Sequence, residues 1–367
     1  MAEARSSSSL LDAVQREVDR SVLRARNGIK HVAGINLARV GLSPKDVVWE
    51  RDKAQLWRYH NAKVTRTPPV FIVMSLVSRS YILDLRPGNS FVEHLLKAGY
   101  DVFLLDWGVP DETDSQNTTE TYVDDYLPLA VSAACKEAGS ESVTLLGYCL
   151  GGVLAVLYLA GHPEAPVRNL VTVATPVDYT KLGLLSGLVR QGRLDPAKLV
   201  DETGNVPADA IRNVFRLRKP TADWVQYANL WENLWNDQYL EGYQAMNQWN
   251  NDHVPFPGAA MEQMVRLLIR QNRLMKGSLR LGGRKVDLKS VKVPFLNVVA
   301  QKDDIAPPTS AEPLRELVGS EDAENLVLAA GHVGLLAGRK AAKETLPSIV
   351  EWLDRHSDRL KRSRRVP

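Results

Sequence analysis

The chain has 367 residues, 44% hydrophobic and 24% charged, a globular composition that excludes a wholly disordered or collagen-like chain. Lys and Arg total 46 against 43 Asp and Glu, for a net charge of +3. The excess sits at the C-terminus (Arg355, Arg359, Lys361, Arg362, Arg364, Arg365), so the body is near neutral and is not a general nucleic-acid binder. Residues 361–367 read as a solvated basic tail.

In chain order, residues 1–35 form an N-terminal arm. Ser6 to Ser9 are a plausible N-cap region, followed by Leu10, Val14, Val18 and Val22 at a spacing of four. That stripe predicts an amphipathic helix packed on the body or on a partner. Short apolar runs then alternate with helical patterns. Strands are expected at Val70–Met74, Val102–Leu105, Val143–Leu146 and Leu170–Ala174. Helices are expected at Ser90–Ala98, Val123–Ala138 and Gly152–Ala160. From about Lys181 to Gly283 the strand signal fades and Trp224, Trp231, Trp235 and Trp249 appear. Strands return at Val293–Val299 and Leu326–Leu328, and a last helix is expected near Ala341–Leu353. This order predicts an α/β core of residues 36–180 and 284–360, with a mostly parallel sheet and a helical cap inserted over 181–283. Trp224, Tyr227, Trp231 and Trp235 fall on one helical face, which reads as a buried core face or as the border of a substrate channel or dimer contact.

Two cysteines, Cys135 and Cys149, cannot build a disulfide framework in a chain this long, which points to a reducing, cytoplasmic compartment. The N-terminus shows no signal-peptide pattern. The uncharged stretch from Ser142 to Gly161 is interrupted by Gly147, Gly151 and Gly152. It reads as strand, turn and buried helix, so no transmembrane segment is expected.

The sharpest signal is Gly147-Tyr148-Cys149-Leu150-Gly151-Gly152 between an expected strand and helix. This is the spacing of a nucleophile elbow, with Cys in the nucleophile position. A strained turn projects the side chain clear of the backbone, and small residues let strand and helix approach. The helix N-terminus favours a thiolate. The Leu150 N–H is then one oxyanion donor, and the loop after the strand at 70–76 supplies a second, assigned to the Val77 N–H. A nucleophile of this kind takes an acid and then a histidine from loops after later strands. Asp303 follows the strand ending at Ala300, with Asp304 as its rival, and His332 follows Leu326–Ala330. His31, His60, His94, His162, His253 and His356 are read as structural, with His60 lying ahead of the sheet. Cys135 reads as core packing. Asp106, Asp111, Glu112 and Asp114 read as a solvated loop rather than a metal site. No phosphate-binding or dinucleotide motif is present, so neither cofactor nor metal is expected.

At these residues the sequence resembles the catalytic subunit of polyhydroxyalkanoate synthases, most closely the short class III type. The resemblance rests on the Gly147–Gly152 box, Asp106-Trp107-Gly108-Val109-Pro110, Val40–Val48 ahead of the sheet, and Tyr81-Ile82-Leu83-Asp84-Leu85. Ala174–Tyr179, Lys302–Pro308 and Gly331–Gly334 complete it. It implies an α/β-hydrolase fold with Cys149, Asp303 and His332 as catalytic residues. It also implies polymerisation of (R)-3-hydroxyacyl-CoA, with CoA release, through an acyl-cysteine thioester. As partners it implies the growing polyester chain, a homodimer through the cap, and a second small subunit (PhaE-like or PhaR-like). It places the protein in the cytoplasm at polyester granules. Class III boxes commonly carry Gln at the position of Leu150, but that position acts through its backbone N–H. The long N-terminal domain of class I enzymes is missing, which fits class III or class IV. The competing enzyme reading is a Cys-dependent hydrolase of dienelactone hydrolase, thioesterase or depolymerase type; the non-enzymatic one is a granule-associated scaffold.

Overall fold

The computed structural model describes residues 15, 17–28, 38–217 and 229–360. Its centre is an eight-stranded sheet. The strands are β1 (Lys45–Arg51), β2 (Ala54–Tyr59), β3 (Val70–Val73), β4 (Val102–Asp106), β5 (Val143–Tyr148), β6 (Val167–Val173), β7 (Phe295–Ala300) and β8 (Ala323–Leu328). They lie in the order β1-β2-β4-β3-β5-β6-β7-β8. β2 runs antiparallel to both neighbours, and every other adjacent pair from β4 to β8 is parallel. β3, β5 and β7 are buried along their whole length, covered by helices on both faces. Both faces are then largely apolar, which is why these strands stand out as apolar runs, interrupted by the buried Thr144 in β5 and Asn297 in β7.

β1 and β2 are a correction to the sequence reading, which began the sheet at Val70 and placed Val40–Val48 and His60 ahead of it. Lys45–Arg51 is an edge strand with no fully buried residue, and β2 alternates in burial. Their apolar stretches, Val47-Val48-Trp49 in β1 and Leu56-Trp57 in β2, are too short to stand out, and the edge strand β1 keeps its charged ends in water.

The helices are α1 (Phe91–Lys97), α2 (Leu127–Ala138), α3 (Leu150–Gly161), α4 (Leu184–Arg190), α5 (Ala208–Leu217), α6 (Asp237–Asn251), α7 (Gly258–Met264) and α8 (Leu346–Arg355). Ser90 caps α1 by accepting the Glu93 N–H, and Gly139 closes α2 in the left-handed conformation. α3 is buried from Gly151 to Ala160, so the helix leaving β5 runs through the core. α4 to α7 lie between β6 and β7. Among the described residues the strands there are two-residue pieces, Asn205–Val206 paired with Phe256–Pro257 and Arg280–Leu281 paired with Arg284–Lys285.

Two expectations about the periphery change. A helix spans residues 17–28, but Val18 and Val22 are 51% and 63% exposed. Its contacts are polar: Arg26 pairs with Asp237 at 2.9 Å, Asn27 donates to the Leu234 carbonyl at 2.8 Å, and Arg20 lies over the Trp235 ring. The stripe's other members, Leu10 and Val14, lie outside the described residues, as do Trp224 and Tyr227 of the aromatic face. Trp231 is 70% exposed rather than core, and Trp235 falls in a turn beyond the helical residues 229–233.

Candidate active site

β5 ends at Tyr148 and α3 begins at Leu150, so Cys149 alone makes the turn. It has φ 53 and ψ −120, a strained backbone for a residue with a side chain. Two glycines make the turn possible. A Cβ on Gly151 would press on the Val73 and Met74 carbonyl oxygens, 2.6 Å from the latter, and one on Gly152 would collide with Thr175. The Cys149 N–H donates to the Val173 carbonyl at 2.8 Å, which pins the turn to β6. Cys149 is a free, half-buried thiol at the N-terminus of α3, where unsatisfied N–H groups favour negative charge.

His332 and Asp303 come from the loops after β8 and β7. His332 Nδ1 and Asp303 Oδ2 are 2.7 Å apart. The other carboxylate oxygen, Oδ1, accepts the N–H groups of Ile305 at 2.8 Å and Ala306 at 2.9 Å. The Asp303 side chain is fully buried and that of His332 is 7% exposed. Nδ1 faces the acid, which leaves Nε2 for Cys149, within hydrogen-bond reach of the sulfur. Burial opposes the imidazolium. The charge at Cys149 and the hydrogen bonds from Asp303 and Cys149 outweigh it and raise the His332 pKa from 6.5 to about 10. The arrangement can therefore take a proton from sulfur and hold it. Of the two neighbouring acids, it is Asp303 that pairs with His332 Nδ1.

Leu150 is the first residue of α3, where an N–H has no partner within the helix. Val77 lies half-buried in the turn after β3. That loop is braced from the core, where Trp107 Nε1 donates to the Met74 carbonyl at 2.7 Å and Ser80 donates to Asp106. The Asp106-Trp107-Gly108 element is thus a support for the β3 loop. The loop is held from the other side by the end of α6. Arg79 Nε and Tyr81 Oη both reach Asp252, each at 3.1 Å. Trp249 Nε1 donates to the Arg79 carbonyl at 2.9 Å, and Ser78 pairs with His253 as a β-bridge. Sequence reasoning missed this brace, since nothing local marks Asp252.

Three buried hydroxyls around the site also went unnoticed as such. Ser75 Oγ, Tyr148 Oη and Tyr179 Oη make no hydrogen bond among the described residues. The Tyr148 ring lies against His332, with centroids 5.2 Å apart. Among the remaining candidates, His162 pairs with Asp124, His60 with Asp46, and His356 with Asp322. Burial raises the pKa of the half-buried Cys135, which packs against the core. Of the acidic loop, Asp111 and Asp114 lie 2.6 and 2.5 Å from Lys53. Among the described residues no group of three His, Cys, Asp or Glu is placed to hold a metal ion, and no helix is long and apolar enough to cross a membrane.

Comparison with known proteins agrees with this construction. A family model for the N-terminus of poly-beta-hydroxybutyrate polymerase (PhaC) matches residues 5–95, and one for the alpha/beta hydrolase fold matches residues 82–338. The poly(3-hydroxyalkanoate) polymerase subunit PhaC of Allochromatium vinosum is 34% identical over 332 residues, covering 89% of this chain and 93% of that protein. The subunit from Synechocystis sp. is 33% identical, with 89% of each covered. That of Haloferax mediterranei is 34% identical over 87% of this chain, which spans 65% of its length. Among solved structures, a candidate lipase from Sulfolobus solfataricus has TM-score 0.53 at 13% identity, covering 85% of this chain and 99% of that one. A thermophilic esterase from Thermogutta terrifontis has TM-score 0.50 at 16% identity, covering 86% and 99%. These two share the fold alone. On the sequence relatives, the chain belongs to the PhaC family of poly(3-hydroxyalkanoate) polymerase subunits, built on an α/β-hydrolase fold.

Proposed function

We propose that the chain polymerises (R)-3-hydroxyacyl groups from their CoA thioesters, with Cys149 as nucleophile, His332 as general base and Asp303 as its orienter. The observation that carries this is the strained Cys149 turn within reach of a buried His332–Asp303 pair, in a chain of this family.

His332 Nε2 takes the thiol proton as Sγ attacks the thioester carbonyl. The oxyanion is received by the N–H groups of Leu150 and Val77. Collapse expels the CoA thiolate, which takes the proton from His332. One thioester has replaced another, so the acyl group stays activated. A 3-hydroxyl then attacks the acyl-cysteine, His332 takes its proton, and an oxygen ester forms as Cys149 leaves as thiolate. The proton on His332 returns to sulfur. Asp303 stays ionised throughout and stabilises the imidazolium. Conversion of thioester to oxygen ester is downhill, which makes growth of a hydroxyl-ended chain favourable.

The helical segment 181–283 acts in this reading as a cap over the site. Homodimerisation through it, a second small subunit and residence at polyester granules belong to the same proposal. The relatives' description as polymerase subunits supports the second subunit. The test is purified chain with (R)-3-hydroxybutyryl-CoA, following CoA release and turbidity together, with and without candidate small subunits. CoA release with turbidity, abolished in Cys149→Ala, is expected. CoA release with soluble 3-hydroxybutyrate would make the chain a hydrolase, and undiminished turnover in Cys149→Ala would remove the nucleophile.

A further inference from the structure

The run Ala174–Tyr179 leaves β6 beside the nucleophile, and the triad makes no use of it. β6 is the strand next to β5, and its last carbonyl, Val173, accepts the Cys149 N–H. From there the backbone is fixed at almost every step. The Val177 and Asp178 N–H groups both donate to the Ser310 carbonyl, at 2.9 and 3.0 Å. The Tyr179 N–H donates to Asn272 Oδ1 at 3.0 Å, and its carbonyl accepts from Ser186 Oγ at 2.6 Å. The ring is 7% exposed. Its hydroxyl, held in place by all of this, has no hydrogen-bond partner among the described residues. A buried hydroxyl left unmet is costly, and evolved interiors rarely keep one without a use.

The chemistry of the group suits a donor. Burial raises the phenol pKa and the charge at Cys149 raises it further, so the hydroxyl keeps its proton. Tyr148 has an equally orphaned hydroxyl, but its ring packs on His332 and senses Asp303 as well, which places it behind the triad. The flank decides what Tyr179 meets. β3 and β6 lie on opposite sides of β5. The oxyanion donors belong to α3 and the β3 loop. Tyr179 comes from the β6 side, shared with the strands that deliver Asp303 and His332. With the carbonyl oxygen turned toward the β3 side, the remainder of the acyl group runs toward β6. Its one polar atom there is the 3-oxygen.

Resting on the polymerase reading above, we propose that Tyr179 Oη donates a hydrogen bond to the 3-oxygen of the acyl group carried on Cys149, making the site selective for 3-oxygenated acyl thioesters. A site built to pair a substrate oxygen discriminates against the analogue that lacks it.

The test is single-turnover acylation with (R)-3-hydroxybutyryl-CoA and with butyryl-CoA, read by CoA release and by intact mass of the protein. Wild type is expected to favour the hydroxy thioester by about tenfold or more. In Tyr179→Phe, which keeps the ring, that ratio is expected to fall to within about threefold of one. A ratio preserved in Tyr179→Phe, including equal slowing with both thioesters, overturns the assignment, as does a wild type without preference. If wild type takes up neither acyl group even with candidate small subunits present, the polymerase reading itself fails. A preserved ratio with both groups accepted fails Tyr179 alone.

Discussion

The sharpest consequence of the site geometry concerns Asp303→Asn. Asp303 Oδ1 accepts two backbone N–H groups, from Ile305 and Ala306, while Oδ2 faces His332 Nδ1 at 2.7 Å. An asparagine must keep its oxygen on the two N–H groups, because turning the amide would set three donors against each other. Its NH₂ then meets Nδ1, which can no longer carry the proton. The imidazole shifts to the other tautomer, with the proton on Nε2 facing sulfur, where it cannot act as a base. Loss of the correct tautomer costs about 10³- to 10⁴-fold in turnover, or about 4–5.5 kcal/mol of barrier. Asp304→Asn leaves the His332–Asp303 contact in place and should stay within about threefold of wild type, well under 1 kcal/mol. The assay is CoA release under single-turnover conditions, with thermal unfolding to confirm that both variants fold. Retention of more than about a tenth of the rate in Asp303→Asn would refute the tautomer argument. Equal losses in the two variants would mean that the acid has been placed wrongly.

Gly151→Ala should lower stability by about 3 kcal/mol and the apparent Tm by about 4 °C, because its Cβ would press on two backbone carbonyls that cannot rotate away; an unchanged melting curve would show that the turn has slack. The pH dependence of stability follows from His332. Its folded-state pKa is raised from 6.5 to about 10, so its stabilising contribution is full below about pH 6.5 and is lost as pH rises toward 10. The Tm advantage of wild type over His332→Gln should therefore shrink across that window in thermal scans at pH 6, 8 and 10; an advantage that grows with pH would reverse the sign of the linkage.

The legible parts of the molecule are those whose physics is local. The Gly147–Gly152 run shows itself because a strained strand-to-helix turn needs small residues at fixed spacing. Asp303 follows from the end of a largely apolar strand, Phe295–Ala300, and His332 from the short apolar run Leu326–Leu328 that ends β8. β1 escapes notice because it is an edge strand with charged ends, Lys45-Asp46 and Glu50-Arg51, and β2 because polar Gln55 and Arg58 interrupt its apolar residues. The aromatic face failed at Trp231 because helical spacing says which residues share a side, not which side is buried. Tyr179 stands in a recognisable run, yet its unmet hydroxyl depends on what packs around it. Asp252 is more than 170 positions from Arg79 and Tyr81, and no pattern along the chain links them.

That last contact has a consequence for how the molecule opens. Arg79, Tyr81 and Ser78 are tied to Trp249, Asp252 and His253 by a small zipper of side-chain and main-chain bonds, while Tyr179 is tied to Asn272 and Ser186. The loops on either side of Cys149 and the residues of the 181–283 segment that hold them therefore share their protection against local unfolding. Amide protons of residues 78–81 and 249–253 are expected to exchange as one unit, read by hydrogen–deuterium exchange. A chain with residues 181–283 excised would lose the bonds that brace both the 78–81 loop and Tyr179 on either side of Cys149.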